Sequence, residues 1–221
     1  MAGRKKDPVQ TNATRITLLE KSYELFVEKT IEKVTMADIT KACGLSNVTV
    51  YRYFKTKPQL VVETATWKWQ QFRKENLTVA LQGVIKDATA AQLFEFYLDS
   101  FIMLYEKHRD ILRFNQFFNA YVKSENIDEH MLQPYKELIR DIKDQFHVMY
   151  TRAKEDLTVR VDESEEVMFS TTLHIMLAIV TRYAVGLVYI PNGDFDAKKE
   201  LIVQKEMFLD RYVIRVVSSD L

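Results

Sequence analysis

Residues 44–57 read GLSNVTVYRYFKTK, and the fold turns on how this stretch is read. Val, Thr and Tyr dominate it, and these types suit strands. As a strand, however, it alternates poorly and ends in cations. As a helix, at 100° per residue, Val50 and Phe54 fall on one side. There they can bury against Phe26, Ile39 and Leu60. Val48, Thr49, Arg52 and Tyr53 cluster on the opposite side, with Asn47 at the start. Gly44 suits the end of a preceding helix, and Ser46 is placed to cap the new one. A short helix with two apolar anchors and a free side of hydroxyls, amide and guanidinium can face the major groove of DNA.

The neighbouring segments supply the rest of a DNA-reading head. From Arg15 to Thr30, Ile16, Leu19, Tyr23, Phe26 and Val27 recur every three or four residues, which marks one face of a helix. Thr35 and Asp38 form an approximate capping box for a second helix, which Gly44 ends. Two helices joined by a short glycine-bearing turn give the helix-turn-helix layout. Thr56 caps a longer helix with Pro58 in its first turn, running to about Asn76. Lys57 stands at its start, where its charge and the free backbone amides can meet phosphate.

Composition agrees with an all-helical chain. Of 221 residues only 5 are Gly and 4 Pro, too few for many strands and tight turns, while 47% are hydrophobic, enough for a sizeable core. The net charge is zero but uneven. Residues 1–57 hold eleven Lys and Arg against six Asp and Glu, a surplus of five that the remainder of the chain offsets. A basic front on an acidic body points to a polyanion partner for the front alone. Cys43 is the one cysteine, so no intrachain disulfide forms, which fits a cytoplasmic protein. The start, MAGRKKDPVQTNATR, lacks the apolar segment of a signal peptide. LHIMLAIVTRYAVGLVYI (173–190) has about the minimum spanning length. Arg182 just past its middle favours a core or interface helix, so no membrane partner is expected.

Further helices are expected at 90–108, 111–122, 134–155, 165–190 and 195–217, with a polar loop at 123–133 and a turn at Pro191–Asp194. The fold class is therefore all-α, about nine helices. A flexible basic arm (1–13) leads into a three-helix DNA-binding domain (14–60), followed by a larger ligand-binding and dimerisation domain (61–221).

The stretch VTMADITKACGLSNVTVYRYFKTKPQLV (34–61) resembles the N-terminal signature of the TetR/AcrR transcriptional regulators. The resemblance runs from about Arg15 to Leu60. It includes the Gly44 turn, the small residue before it, the Tyr51-x-Tyr53-Phe54 run, Lys57 and Leu60. It implies a homodimer with two DNA-reading heads and a helical ligand-sensing body. It also implies phosphate or base contacts at Thr35, Thr49, Tyr51, Tyr53 and Lys57, and base-edge contacts around Asn47 and Val48. Val48 departs from the pattern, since that position is often glycine or another small residue. Residues 76–221 match no motif.

The body can be read for pairing and for sensing. The 165–190 helix is apolar on nearly every side, and the 195–217 helix carries Leu201, Ile202, Phe208, Leu209, Tyr212, Val213 and Val216 over a wide arc. Two such helices from each chain would make a large apolar homodimer interface. Nine aromatic residues fall between Phe94 and Tyr121. Most are expected in the core, and others line a pocket for an apolar or aromatic effector. Phe101, Tyr105, Phe117, Phe118, Tyr121, His147, Tyr150, Met176 and Tyr183 are the candidates. Spacing does not separate core from pocket.

Catalysis finds no support. The histidines at 108, 130, 147 and 174 include no i, i+3 or i, i+4 pair, and no phosphate loop or nucleophile motif is present. No metal or cofactor is expected. The sequence reads as a ligand-responsive repressor, released from a palindromic double-stranded DNA operator by a small effector. The alternative is a helical protein-interaction module.

Overall fold

The computed structural model describes residues 8–76, 87–186, 188 and 196–214. Among them are nine α-helices: α1 (Pro8–Lys29), α2 (Met36–Ala42), α3 (Asn47–Tyr53), α4 (Lys57–Asn76), α5 (Ala90–Lys107), α6 (Arg109–Ser124), α7 (Gln133–Asp156), α8 (Glu165–Ala184) and α9 (Ala197–Tyr212). The fold is all-α, with helix-turn-helix at its N-terminal end.

The helix ends follow local chemistry. Thr35 caps α2 in a capping box completed by Asp38, Ser46 caps α3, and Ser164 caps α8. The Thr56 hydroxyl accepts from the Gln59 backbone N–H at 3.2 Å in the first turn of α4. Gly44 takes φ +63, the left-handed conformation that closes α2 without a Cβ penalty. α5 has a cap that the sequence pattern alone did not single out, the Thr89–Gln92 capping box.

Three expected boundaries differ. Residues 8–13, assigned to a flexible arm, form the first turns of α1, since Pro8 is preset for the first helical position. Residues 1–7 of that arm lie outside the described residues. The helix expected to reach 190 ends at Ala184, because Gly186 adopts φ +79 and its N–H bonds back to the Tyr183 carbonyl. The last helix ends at Tyr212. Val213 instead makes an isolated antiparallel bridge with Val159, and the Ile214 N–H donates to the Thr158 carbonyl at 2.9 Å. The Pro191–Asp194 turn and residues 215–217 lie outside the described residues.

The chain divides into two compact units, Met1–Phe72 with Phe114–Leu138, and Arg73–Arg113 with Ile139–Leu221. The division differs from a boundary at residue 60 because the later aromatics of α6 pack with the head. Phe114, Phe118 and Tyr121 share one core with Phe26, Ile39, Val50, Phe54 and Leu60. The Phe114 ring lies 5.1 Å from that of Tyr23, edge-on, and 6.3 Å from that of Phe26.

In the second unit α5 packs against α8 and α9, and α8 against α9. Phe146 centres an aromatic cluster, with Tyr97 at 5.3 Å, Phe169 at 5.4 Å and Phe94 at 6.3 Å. Lys205 is drawn onto α5 by Glu95 and Asp99. Burial opposes the Lys205 charge, but the two carboxylates outweigh it and raise its pKa. α8 is the only helix among the described residues long and apolar enough to cross a membrane. Its Met168, Phe169, Met176 and Val180 are buried within the unit.

Candidate nucleic-acid interface

α3 is a seven-residue helix held from below. Val50 and Phe54 are fully buried, among Phe26, Ile39 and Leu60, as the helical reading of residues 47–54 expects. Burying two such side chains contributes about 3–6 kcal/mol to fixing the helix in place. Arg15 adds a tether that no local pattern announces. Its guanidinium lies 5.5 Å from the centroid of the Phe54 ring and pairs with Glu63. The Gln59 amide donates to the same carboxylate at 2.9 Å. α1, α4 and the end of α3 are thereby joined through residues 48 positions apart.

The candidate contact residues fall into two groups. Asn47, Val48, Tyr51 and Arg52 are exposed on α3. The Arg52 guanidinium sits 5.3 Å from the Tyr53 ring centroid, within cation–π range. The others are already engaged. The Thr49 hydroxyl lies 3.0 Å from the Ser46 hydroxyl, within the cap of α3. The Tyr53 hydroxyl is buried with no hydrogen-bond partner, and its ring leans on the head core. That corrects the placement of Tyr53 on the free side. Residue 53 is the last of α3, and there the core reaches round to it.

Thr35 works as a cap. Its hydroxyl donates to the Asp38 carboxylate at 2.7 Å and accepts from the Asp38 N–H at 3.2 Å. The Thr35 hydroxyl and then the Thr35 backbone N–H hold the Asp38 carboxyl below its usual range. A lowered folded pKa means that this stabilisation is present above the ordinary aspartate value and is lost as pH falls through the folded one. Thr35→Ala is expected to cost about 1 kcal/mol in a urea titration at pH 7. An NMR titration should show the Asp38 pKa rising toward its ordinary value. An unmoved Asp38 titration would remove the Thr35 hydroxyl as its cause.

Lys57 is half-buried rather than free. Its ammonium donates to the Glu32 carbonyl at 3.3 Å and lies 5.3 Å from the Tyr121 ring centroid. Burial lowers its pKa, against the opposing pull of Glu32 and Glu125. Burial, with the same two carboxylates, pushes the Tyr121 hydroxyl up to about 12. The ammonium thus ties the start of α4 to the end of α6, a distant pairing that the sequence does not signal.

The effector candidates separate in the same way. Phe118 and Tyr121 are core residues of the unit containing the head, and Phe117 is packed against that core. Phe101, Tyr105, Tyr150 and Met176 are buried in the other unit. The Tyr150 hydroxyl donates to the Glu163 carbonyl at 2.7 Å. His147 is exposed, with Nδ1 2.8 Å from Glu165. The Tyr183 hydroxyl bonds Glu200. A polar atom absent from the candidates is the Tyr97 hydroxyl, buried without a partner between aromatic rings, where burial raises its pKa. Among the described residues no group of three or more His, Cys, Asp or Glu could hold a metal ion.

Comparison with known proteins agrees with this geometry. Residues 18–64 match the family model for bacterial regulatory proteins of the tetR family. The chain is 27% identical over 110 residues to the HTH-type transcriptional regulator YvdT of Bacillus subtilis, an alignment covering 48% of this chain and 52% of that protein. The chain thus spans about half the length of the curated relative it matches. Among solved structures, a transcriptional regulator from Saccharomonospora viridis in complex with choline superposes with a TM-score of 0.71 at 14% identity, over 92% of this chain and 100% of that one. FadR from Bacillus subtilis, in complex with stearoyl-CoA, superposes with a TM-score of 0.66 at 15% identity, over 87% and 96%. At these identities the superpositions speak for the fold alone. Residues 18–64 thus match the tetR family of bacterial regulatory proteins in sequence, and along the rest of its described length the chain shares the fold of the solved regulators.

Proposed function

We propose that the protein is a homodimeric repressor that binds a palindromic DNA operator through α3 and is released from it by a small apolar or aromatic effector. The observation that carries this reading is the outward face of α3. Asn47, Val48, Tyr51 and Arg52 stand exposed on a helix whose other face is locked into the head core. The basic surplus of residues 1–57 supports a polyanion partner. Two heads are needed because one offers few phosphate contacts, and a dimer reads two half-sites about 34 Å apart. Outward apolar side chains on α8 (Val167, Ile175) and α9 (Ile202, Val203, Met207) supply a pairing surface. The aromatic content of the second unit supports an apolar effector, and the ligand-bound regulators of the same fold, with choline and stearoyl-CoA, supply probes. α4, which leaves the head, is the natural lever, and an effector acts only by favouring one arrangement of the heads over another. Such a regulator works in the cytoplasm, beside its operator, and needs no catalytic group.

The test is selection of duplexes from a random pool at low ionic strength, followed by anisotropy titrations. Log affinity should fall with log salt at a slope of about −0.9 per phosphate neutralised. Arg52→Ala should cost about 1–3 kcal/mol and relax preference at one base pair in each half-site. Lys57→Ala should weaken all duplexes alike and make the slope shallower. Equal effects from both changes would mean the roles are misassigned. No enriched duplex would leave the protein-interaction reading in possession. If neither the cation choline, nor stearoyl-CoA, nor any tightly bound apolar or aromatic ligand alters operator affinity, the sensor role falls.

A further inference from the structure

We propose that Val48 reads the C5 methyl group of one thymine in each operator half-site, so that this base pair is chosen by an apolar contact rather than a hydrogen bond. The proposal rests on α3 being the DNA-reading helix. Val48 is 82% exposed, more than any other large hydrophobic side chain among the described residues. Its helix neighbours are accounted for. Val50 is in the core, the Thr49 hydroxyl is in the cap and the Tyr53 hydroxyl is buried. What remains free is Asn47, Tyr51 and Arg52, which can hydrogen-bond, and Val48, which cannot. A β-branched side chain in a helix is confined to essentially one χ1 rotamer, so Val48 is a stiff apolar probe.

The major groove offers such a probe one apolar target. Base edges there present donors and acceptors, except for the thymine C5 methyl. A protein partner would instead need a contiguous apolar patch. The exposed residues that share α3 with Val48 are Asn47, Arg52 and Tyr51, the last only 45% exposed. One apolar tip with a guanidinium one turn away suits a polyanion with a methyl on its groove floor.

The experiment uses the full chain and the operator enriched from a random duplex pool. Each thymine of a half-site is replaced in turn by uracil, which removes only the methyl group. One thymine per half-site is expected to lose about fourfold in affinity, and the symmetric double replacement roughly fifteenfold, the value of one buried methyl or two. Val48→Ala should bind the thymine operator more weakly, with an unchanged salt slope, and should lose most of its discrimination between uracil and thymine at that position. The exposed position leaves the fold intact, checked by the thermal midpoint. If no thymine is sensitive, or Val48→Ala keeps the full uracil penalty, the proposal is overturned while DNA binding stands. If no duplex enriches, the DNA-binding reading falls and takes this one with it.

Discussion

Phe114→Ala is expected to lower the unfolding free energy of the unit containing the head by about 3–5 kcal/mol. Phe114 is fully buried, its ring edge-on to Tyr23 and near-parallel to both Phe26 and Phe118. Deleting the ring removes its transfer free energy and leaves a void walled by stiff aromatic planes, which cannot collapse to fill it. Phe26 also supports Val50 and Phe54, so the loss reaches the base of α3. Urea unfolding should show a lower midpoint at an unchanged m-value. Phe117→Ala serves as the control. Phe117 is only half-buried against the same core, so it should cost visibly less. A Phe114→Ala loss below about 1 kcal/mol would contradict a close-packed core at this point.

The double change Val203→Asp with Met207→Asp is expected to convert the proposed homodimer into a folded monomer. The two side chains are 51% and 60% exposed and stand one turn apart on α9. The opposite face of the same helix buries Leu201, Phe208, Leu209 and Tyr212. A two-fold interface would bury four new carboxylates without partners, weakening association by about 100-fold or more. Sedimentation velocity reads the mass, and circular dichroism confirms the helices. Operator affinity should fall in step, because unlinked heads lose the gain of binding two half-sites together. A variant that sediments as a dimer would place the pairing surface elsewhere.

The head is legible in the order of its residues because its signals are local. Thr35, Gly44 and Ser46 act within a turn of themselves, through one hydroxyl bond or one left-handed φ. The burial of Val50 and Phe54 follows from helical period alone. Where local signals conflict, the pattern misleads. Gly186 sits inside an apolar run that continues past it, and its helix-ending conformation shows only once the chain turns. Val213 has a helical neighbourhood, yet the helix stops there because the 158–160 segment takes the flanking backbone groups, the Arg160 N–H donating to the Tyr212 carbonyl and the Ile214 N–H to the Thr158 carbonyl.

The sequence by itself determined an all-helical chain, a helix-turn-helix near its start, and the face of α3 that carries the anchors, because each depends on contacts a few residues long. Only the tertiary structure decided which aromatics belong together. It put Phe114, Phe118 and Tyr121 with the head, and Phe101, Tyr105 and Tyr150 with the other unit, although all but Tyr150 lie on two consecutive helices. It also turned Lys57 onto Tyr121 and Arg15 onto Phe54. Attraction between apolar surfaces is non-directional, and a cation settles wherever the folded chain brings an acceptor or a ring, so partners dozens of positions apart leave no mark in the order of residues.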